Sequence, residues 1–165
     1  MALKNSKEEW LAALVRAWEG RLLRYVLRFV GQQEGREIVQ ECFLRLWKEE
    51  ALSLRGRERE WLFCVCRNLA IDNIRKNSKI LLIEEEGVFI PQTEELLQKN
   101  EEIAGMQAFV KVLPPMQREV IRLKFQENMS YEEIAKVTGH STSHVGVLIH
   151  QGLSEIRRKM QRGNK

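Results

Sequence analysis

Ser130-Tyr131-Glu132-Glu133-Ile134-Ala135-Lys136-Val137-Thr138-Gly139-His140-Ser141 spells out one short helix, the turn after it and the start of the next helix. Ser130 with Glu133 three residues on is a capping box. The serine hydroxyl accepts from the glutamate's backbone N–H, and the glutamate carboxylate accepts from the serine's. Ile134, Ala135 and Val137 give that helix its inner side. Gly139 suits a left-handed position, which lets the chain change direction. A second helix then starts at Ser141 or Thr142 and runs to about Met160, with Val145 and Ile149 turned back onto the first. The spacing is that of a helix-turn-helix, in which Ala135 stays small because the helices cross there.

In such a unit the N-terminal part of the second helix enters the DNA major groove. Ser141, Thr142, Ser143, His144, Val147, Leu148 and Gln151 are then the residues placed to face DNA. A helical hairpin that only packs or binds protein is the plainer alternative. One feature counts against DNA: between Ser141 and Glu155 there is no Lys or Arg. Phosphate contacts supply much of the affinity for DNA. Here they must come from Arg118, Arg122, Lys124, Lys136, Arg157 and Arg158, or from backbone N–H groups at helix starts. His140 and His144 are four apart, but His140 precedes the helix and no carboxylate completes a metal set. A polar, solvated or DNA-facing role fits the histidines better.

Upstream of this unit, Leu113-Pro114-Pro115 opens a helix that runs to about Gln126, proline being well tolerated in a first turn. Residues 101–112 read as another helix. From about Asn77 to Asn100 the helical pattern breaks, with a short apolar run at Ile80 to Ile83, three glutamates at Glu84 to Glu86, then Gly87 and Pro91. This reads as a linker.

The first half reads as four helices. Trp10, Leu11, Leu14, Val15 and Trp18 recur at helical spacing, with Gly20 as a stop. A second helix spans about Arg21 to Val30, before Gly31. The third has the clearest stripe, Ile38, Val39, Cys42, Phe43, Leu46 and Trp47. Its opposite face carries Glu37, Gln40, Glu41, Leu44, Arg45 and Lys48. Solvation explains five of these six, and the apolar Leu44 hints at a partner. A loop with Ser53, Arg55, Gly56 and Arg57 leads to a fourth helix burying Trp61, Leu62, Val65, Cys66, Leu69 and Ile74. On its other side Asn68, Asp72, Arg75 and Lys76 recur beside Arg67. They form either a solvated face with local ion pairs or an edge that meets DNA.

The fold class expected is all-α, with two small helical domains joined by a linker: a four-helix N-terminal domain over 1–77, an acidic linker over 78–100, and a helix-turn-helix domain over 101–165. Charge follows the same division. Residues 1–77 hold 15 Lys/Arg against 11 Asp/Glu, residues 78–112 hold 3 against 7, and residues 113–165 hold 9 against 5. Two basic ends around an acidic middle suit two nucleic-acid-facing modules. The 3 cysteines, Cys42, Cys64 and Cys66, are an odd number without a Cys-x-x-Cys pair. They sit in apolar stripes as small core residues rather than in a disulfide framework or zinc site. No apolar run approaches the roughly 20 residues that span a bilayer. The N-terminus lacks a signal peptide's apolar core, so a cytoplasmic location is expected. An enzyme is disfavoured: there is no Gly-rich phosphate loop, nucleophile–base arrangement or metal cluster. No cofactor and no metal are expected.

Three ordered blocks carry a family resemblance. Glu37 to Trp47 resembles the region-two helix of extracytoplasmic-function sigma factors. Trp61-Leu62-Phe63 through Arg67 to Lys76 looks like that family's promoter-melting helix. Leu113-Pro114, Gln117 to Ile121 and Ser130 to Ala135 resemble its region-four helix-turn-helix. The resemblance implies that Glu37, Ile38, Gln40, Glu41, Leu44 and Arg45 contact core RNA polymerase. It implies that the loop from about Leu52 to Glu60, with Arg55 and Arg57, and the face of Arg67, Asn68, Asp72, Arg75 and Lys76 engage the −10 element. Flipping a base out of the duplex there would begin strand opening. Arg118 and the second helix of the helix-turn-helix would take the −35 element, and the acidic linker would thread the polymerase's RNA path. Core polymerase and promoter DNA are the implied partners, with an anti-sigma factor as an optional third and nucleoid association when bound to polymerase. Three departures stand out. The family usually has a basic residue among the positions of Gly146, Leu148 and Gln151, which implies reduced or unusual −35 affinity. Glu37 stands where Asp is common, and Cys64 where a basic or apolar residue is. Two other readings remain: a sigma-like regulator with poor upstream recognition, and a stand-alone helix-turn-helix regulator.

Overall fold

Leu22, Tyr25 and Val26 continue the apolar stripe that begins before Gly20, and their burial carries one helix across the glycine. In the computed structural model, which describes residues 2–81 and 108–163, α1 runs unbroken from Ala2 to Val26. The expected stop at Gly20 and separate second helix are thus corrected. Mid-helix glycine costs only about 1 kcal/mol relative to alanine. Burying Leu22, Tyr25 and Val26 outweighs that. Beyond Val26 the chain makes one further turn, in which Phe29 and Val30 N–H donate to the Val26 carbonyl at 2.9 and 3.1 Å.

The helix α2 spans Gln32–Lys48, the single-turn α3 spans Ala51–Leu54, and α4 spans Glu58–Leu81. The expected loop before α4 therefore contains a helical turn, anchored by the buried Leu54. The helix α4 also outlasts its expected end near Asn77, because no Gly or Pro intervenes before Gly87. The helices α1, α2 and α4 pack against one another in all three pairs. Their core holds Leu22, Tyr25, Ile38, Val39, Cys42, Leu46, Leu62, Phe63, Cys66 and Ala70. The Tyr25 and Phe63 rings lie 5.0 Å apart, and Trp18 meets Phe63 edge-on at 6.2 Å. Gly35 sets how closely α1 and α2 approach, since an added Cβ would stand 3.0 Å from Leu27 Cδ2 and 3.4 Å from a Val26 methyl.

The chain divides into two compact units, residues 1–92 and 93–165. In the second, a helical turn over 108–111 precedes α5 (Pro115–Phe125), α6 (Tyr131–Thr138) and α7 (Thr142–Gly163). The core of this unit is Leu113, Val120, Ile121, Leu123, Met129, Ile134, Val137, Val145, Ile149 and Ile156. Gly152 is buried against α5, with Ile121 where a Cβ would go. All regular structure among the described residues is helical. The linker over 82–100 and most of the helix expected over 101–112 lie outside the described residues.

Candidate polymerase and nucleic-acid surfaces

The helix α2 turns its charged side outward. Glu37, Gln40, Leu44, Arg45 and Lys48 are exposed and Glu41 is half-buried. Arg45 Nε donates to Glu41 Oε1 at 2.8 Å, a pair one turn apart, and Gln33 Nε2 donates to Glu37 Oε1 at 3.1 Å. Leu44 is 55% exposed in the middle of this charged face. Ile38 is the exception among the expected contact residues. It is 6% exposed and belongs to the core, so it supports the face from beneath. Trp47 differs the other way, being exposed where the stripe placed it inside. Ile38 forms one edge of the stripe, and Trp47, nine residues or two and a half turns on, lies half a turn round from it at the other edge. Lys7 covers its ring, with Nζ 5.6 Å from the centroid.

The α3–α4 junction brings Arg55 and Arg57 to the surface. Gly56 sits between them at φ 81°, a left-handed conformation that glycine adopts without strain. Arg57 Nη2 donates to the Ser53 carbonyl at 2.7 Å, and Ser53 Oγ donates to the Glu50 carbonyl at 2.7 Å. On α4, Asn68, Asp72, Arg75 and Lys76 are exposed along one side, with Arg67 half-buried beside them. Arg75 and Asp72 lie 3.8 Å apart with both side chains well exposed. Such a pair is worth well under about 1 kcal/mol and restrains its arginine little. Asn68 Nδ2 donates to Cys64 Sγ at 3.7 Å. Burial pushes the Cys64 thiol up, and Arg67 partly offsets it. Leu52, 82% exposed on α3, opens the loop expected at the −10 element, in which only Arg55 and Arg57 were singled out. The irregular stretch offered no periodicity to reveal its exposure.

In the second unit the helix-turn-helix is built as its sequence specifies. Glu133 N–H donates to Ser130 Oγ at 3.1 Å and Ser130 N–H donates to Glu133 Oε2 at 2.8 Å. Gly139 takes φ 74°, ψ 15°, and its N–H donates to the Ala135 carbonyl at 2.9 Å. Ser141 Oγ accepts from His144 N–H at 3.1 Å and caps the start of α7. Val145 and Ile149 are buried on its inner side. Ser141, Thr142, Ser143, His144, Val147 and Gln151 are exposed.

Leu148, expected to face DNA, is 8% exposed and packs inward with Val145 and Ile149. One residue on from Val147 is about 100° further round the helix, which takes Leu148 off the outer face. Arg118 is half-buried, and its Nη2 donates to the Leu113 carbonyl at 2.9 Å, tying down the turn before α5. Gln117 Nε2 donates to Gln151 Oε1 at 3.4 Å across α5 and α7. Although His140 precedes α7, its ring meets His144 edge-on at 4.8 Å. Tyr131 on α6 stands beside α7 with Lys124 Nζ 5.3 Å from its ring centroid. No group of three metal-ligating side chains occurs among the described residues.

Two family models match in the order the three blocks suggested: sigma-70 region 2 over residues 14–80 and sigma-70 region 4 over residues 100–156. The chain belongs to the extracytoplasmic-function sigma factors of the sigma-70 family.

This sigma factor is 28% identical over 151 residues to the ECF RNA polymerase sigma factor SigE of Mycolicibacterium smegmatis, covering 87% of this chain and 59% of that protein. It is 23% identical to the ECF RNA polymerase sigma factor SigW of Bacillus subtilis, covering 96% and 93% of the two chains. In fold it resembles the sigma factor RpoE of Bartonella quintana, solved in complex with the anti-sigma factor NepR. The TM-score there is 0.66 at 18% identity, covering 96% of this chain and 98% of that one. CnrH, solved with the cytosolic domain of CnrY, gives a TM-score of 0.60 at 20% identity, over 94% and 90% of the chains. The α2 face, the α3–α4 junction and the basic side of α4 all fall within the sigma factor's region 2 match. Arg118 and the outer face of α7 fall within its region 4 match.

Proposed function

We propose that the chain is an alternative sigma factor whose two units divide the work of initiation. It binds core RNA polymerase and directs promoter recognition. The α2 face of Glu37, Gln40, Glu41, Leu44 and Arg45, carried on Ile38, holds the polymerase. Arg55 and Arg57, with Arg67, Asn68, Asp72, Arg75 and Lys76, take the −10 element, Arg and Lys on phosphates and Asn68 near the bases. The outer face of α7, from Ser141 to Gln151, takes the −35 element. Residues 1–77 and 101–165 form the two functional modules and 78–100 the acidic segment between them. The protein acts in the cytoplasm, joins the nucleoid through polymerase and catalyses no reaction itself. An anti-sigma factor is a fitting third partner, since the RpoE and CnrH structures are complexes with NepR and with the cytosolic domain of CnrY.

The observation that carries this reading is the pairing, in one chain, of a region 2 match and a region 4 match, each with an exposed polar face. A stand-alone DNA-binding regulator would leave the first unexplained. Salt titration of duplex binding separates the two. The chain alone should bind promoter duplex weakly, and addition of core polymerase should confer specific binding and opening. Tight, steeply salt-dependent binding by the chain alone, unchanged by polymerase, would contradict the assignment.

A further inference from the structure

The first three turns of α7 carry no charged side chain, and this restricts how the helix can read DNA. From Thr142 to Ser154 there is no Lys or Arg, so this stretch cannot make the commonest specific contact, an Arg or Lys to guanine O6 and N7. Val147 occupies the middle of its outer face. Ser143 and Gln151 stand four residues to either side, His144 and His150 three, and all four are exposed. Val147 itself is 49% exposed, an isopropyl group ringed by polar side chains. In a helix valine holds one strongly preferred rotamer. Its two methyls are therefore presented in a fixed place, with little freedom left to lose on binding.

The major groove offers one apolar group, the C5 methyl of thymine. We infer that Val147 reads a thymine methyl in the upstream promoter element and so selects an A·T pair at that position. The inference rests on α7 being the helix that enters the upstream groove, as proposed above. The thymine methyl and the valine methyls lose contact with water on meeting. Cytosine carries only a hydrogen at C5, so the same contact is missing there. The bases flanking this thymine then meet Ser143, His144 and Gln151, which supply hydrogen bonds without ionic attraction.

The test uses the full chain assembled with core RNA polymerase. Promoter duplexes randomised over the upstream element are selected for binding by this holoenzyme, and each thymine of the selected element is replaced in turn by deoxyuridine. That change removes only the methyl group. Wild-type holoenzyme is expected to lose about fourfold in affinity at one thymine, the worth of roughly one buried methyl group. Holoenzyme carrying Val147→Ala should bind the selected element about fourfold more weakly and be indifferent to deoxyuridine there. Alanine is the best helix former, so this exposed substitution keeps the fold, which circular dichroism verifies.

A selected element that tolerates deoxyuridine at every position would overturn the role of Val147 while leaving α7 as the recognition helix. So would a Val147→Ala holoenzyme that stays sensitive at the same thymine. Loss of core polymerase binding by Val147→Ala would overturn the role too, and assign the residue to a protein contact. If a holoenzyme competent to open promoters enriched no upstream sequence at all, the reading of α7 itself would fall with it.

Discussion

Tyr131 lies across Gly146, so that a Cβ built on the glycine would stand 3.5 Å from the ring's Cε2 and 3.8 Å from Cδ2. This is ordinary contact distance, and it places the aromatic ring of α6 beside the second turn of α7. Alanine therefore fits at position 146 without moving the tyrosine. Glycine within a helix is less favourable than alanine by roughly 0.5–1 kcal/mol. Gly146→Ala is expected to stabilise the second unit by about that amount, read as a shift in the denaturant midpoint. Destabilisation would show that the ring and the helix pack more tightly than this.

Reversal of charge on the α2 face separates binding from folding. Glu41 pairs with Arg45 at 2.8 Å on the surface, and such an i,i+4 pair contributes only about 0.3–0.5 kcal/mol. Glu41→Arg should leave the thermal midpoint nearly unchanged while abolishing detectable core polymerase binding, because it reverses a charge in the middle of the face proposed to hold polymerase. Near-normal polymerase affinity in the folded variant would remove α2 from the interface.

The basic side of α4 makes a different prediction. Arg75 and Lys76 are exposed, and the Asp72 pairing with Arg75 is long at 3.8 Å. Arg75→Ala combined with Lys76→Ala should slow promoter opening on the order of tenfold or more, the two phosphate contacts proposed for them being removed. Core polymerase affinity should change far less. Equal losses in opening and in polymerase binding would refute the division of roles between α2 and α4.

The thiols provide a check on the core of the first unit. Cys42 and Cys66 are buried, and the hydrogen bond between them, with burial, pushes the Cys66 thiol well above its ordinary range. Burial also raises the half-buried Cys64. The thiolate is the form that alkylates, so at pH 8 a raised pKa means less reactive sulfur. Native protein should take up iodoacetamide slowly, first at Cys64, whereas all three should react quickly in denaturant. Rapid labelling of Cys66 in the native protein would contradict this packing.

How far the sequence disclosed the molecule depends on whether the signal was local. The Ser130–Glu133 box and the Gly139 turn were legible because both ends of α6 are encoded in residues that touch one another along the chain. The α2 stripe was legible for the same reason, and with it the exposed Leu44. Gly20 misled because the burial that keeps α1 intact comes from α4, through Tyr25 against Phe63. The helical turn α3 was hidden because four residues are too few to show a period. Among the site residues, Ile38 was given a polymerase contact by the family resemblance although the stripe put it inside, and Leu148 was set facing DNA by its place beside Val147. Both lie on the core side of their helices. Leu52 was marked only as the start of the loop expected at the −10 element, and its exposure shows only in the fold.

The central claim is that the chain joins core RNA polymerase as its promoter-recognition subunit. Gel filtration of the full chain with and without bacterial core polymerase, at moderate salt, tests it most directly. A one-to-one complex eluting ahead of free core is the result expected, and the Glu41→Arg chain should fail to shift with it. A folded wild-type chain that elutes apart from a competent core polymerase would contradict the account.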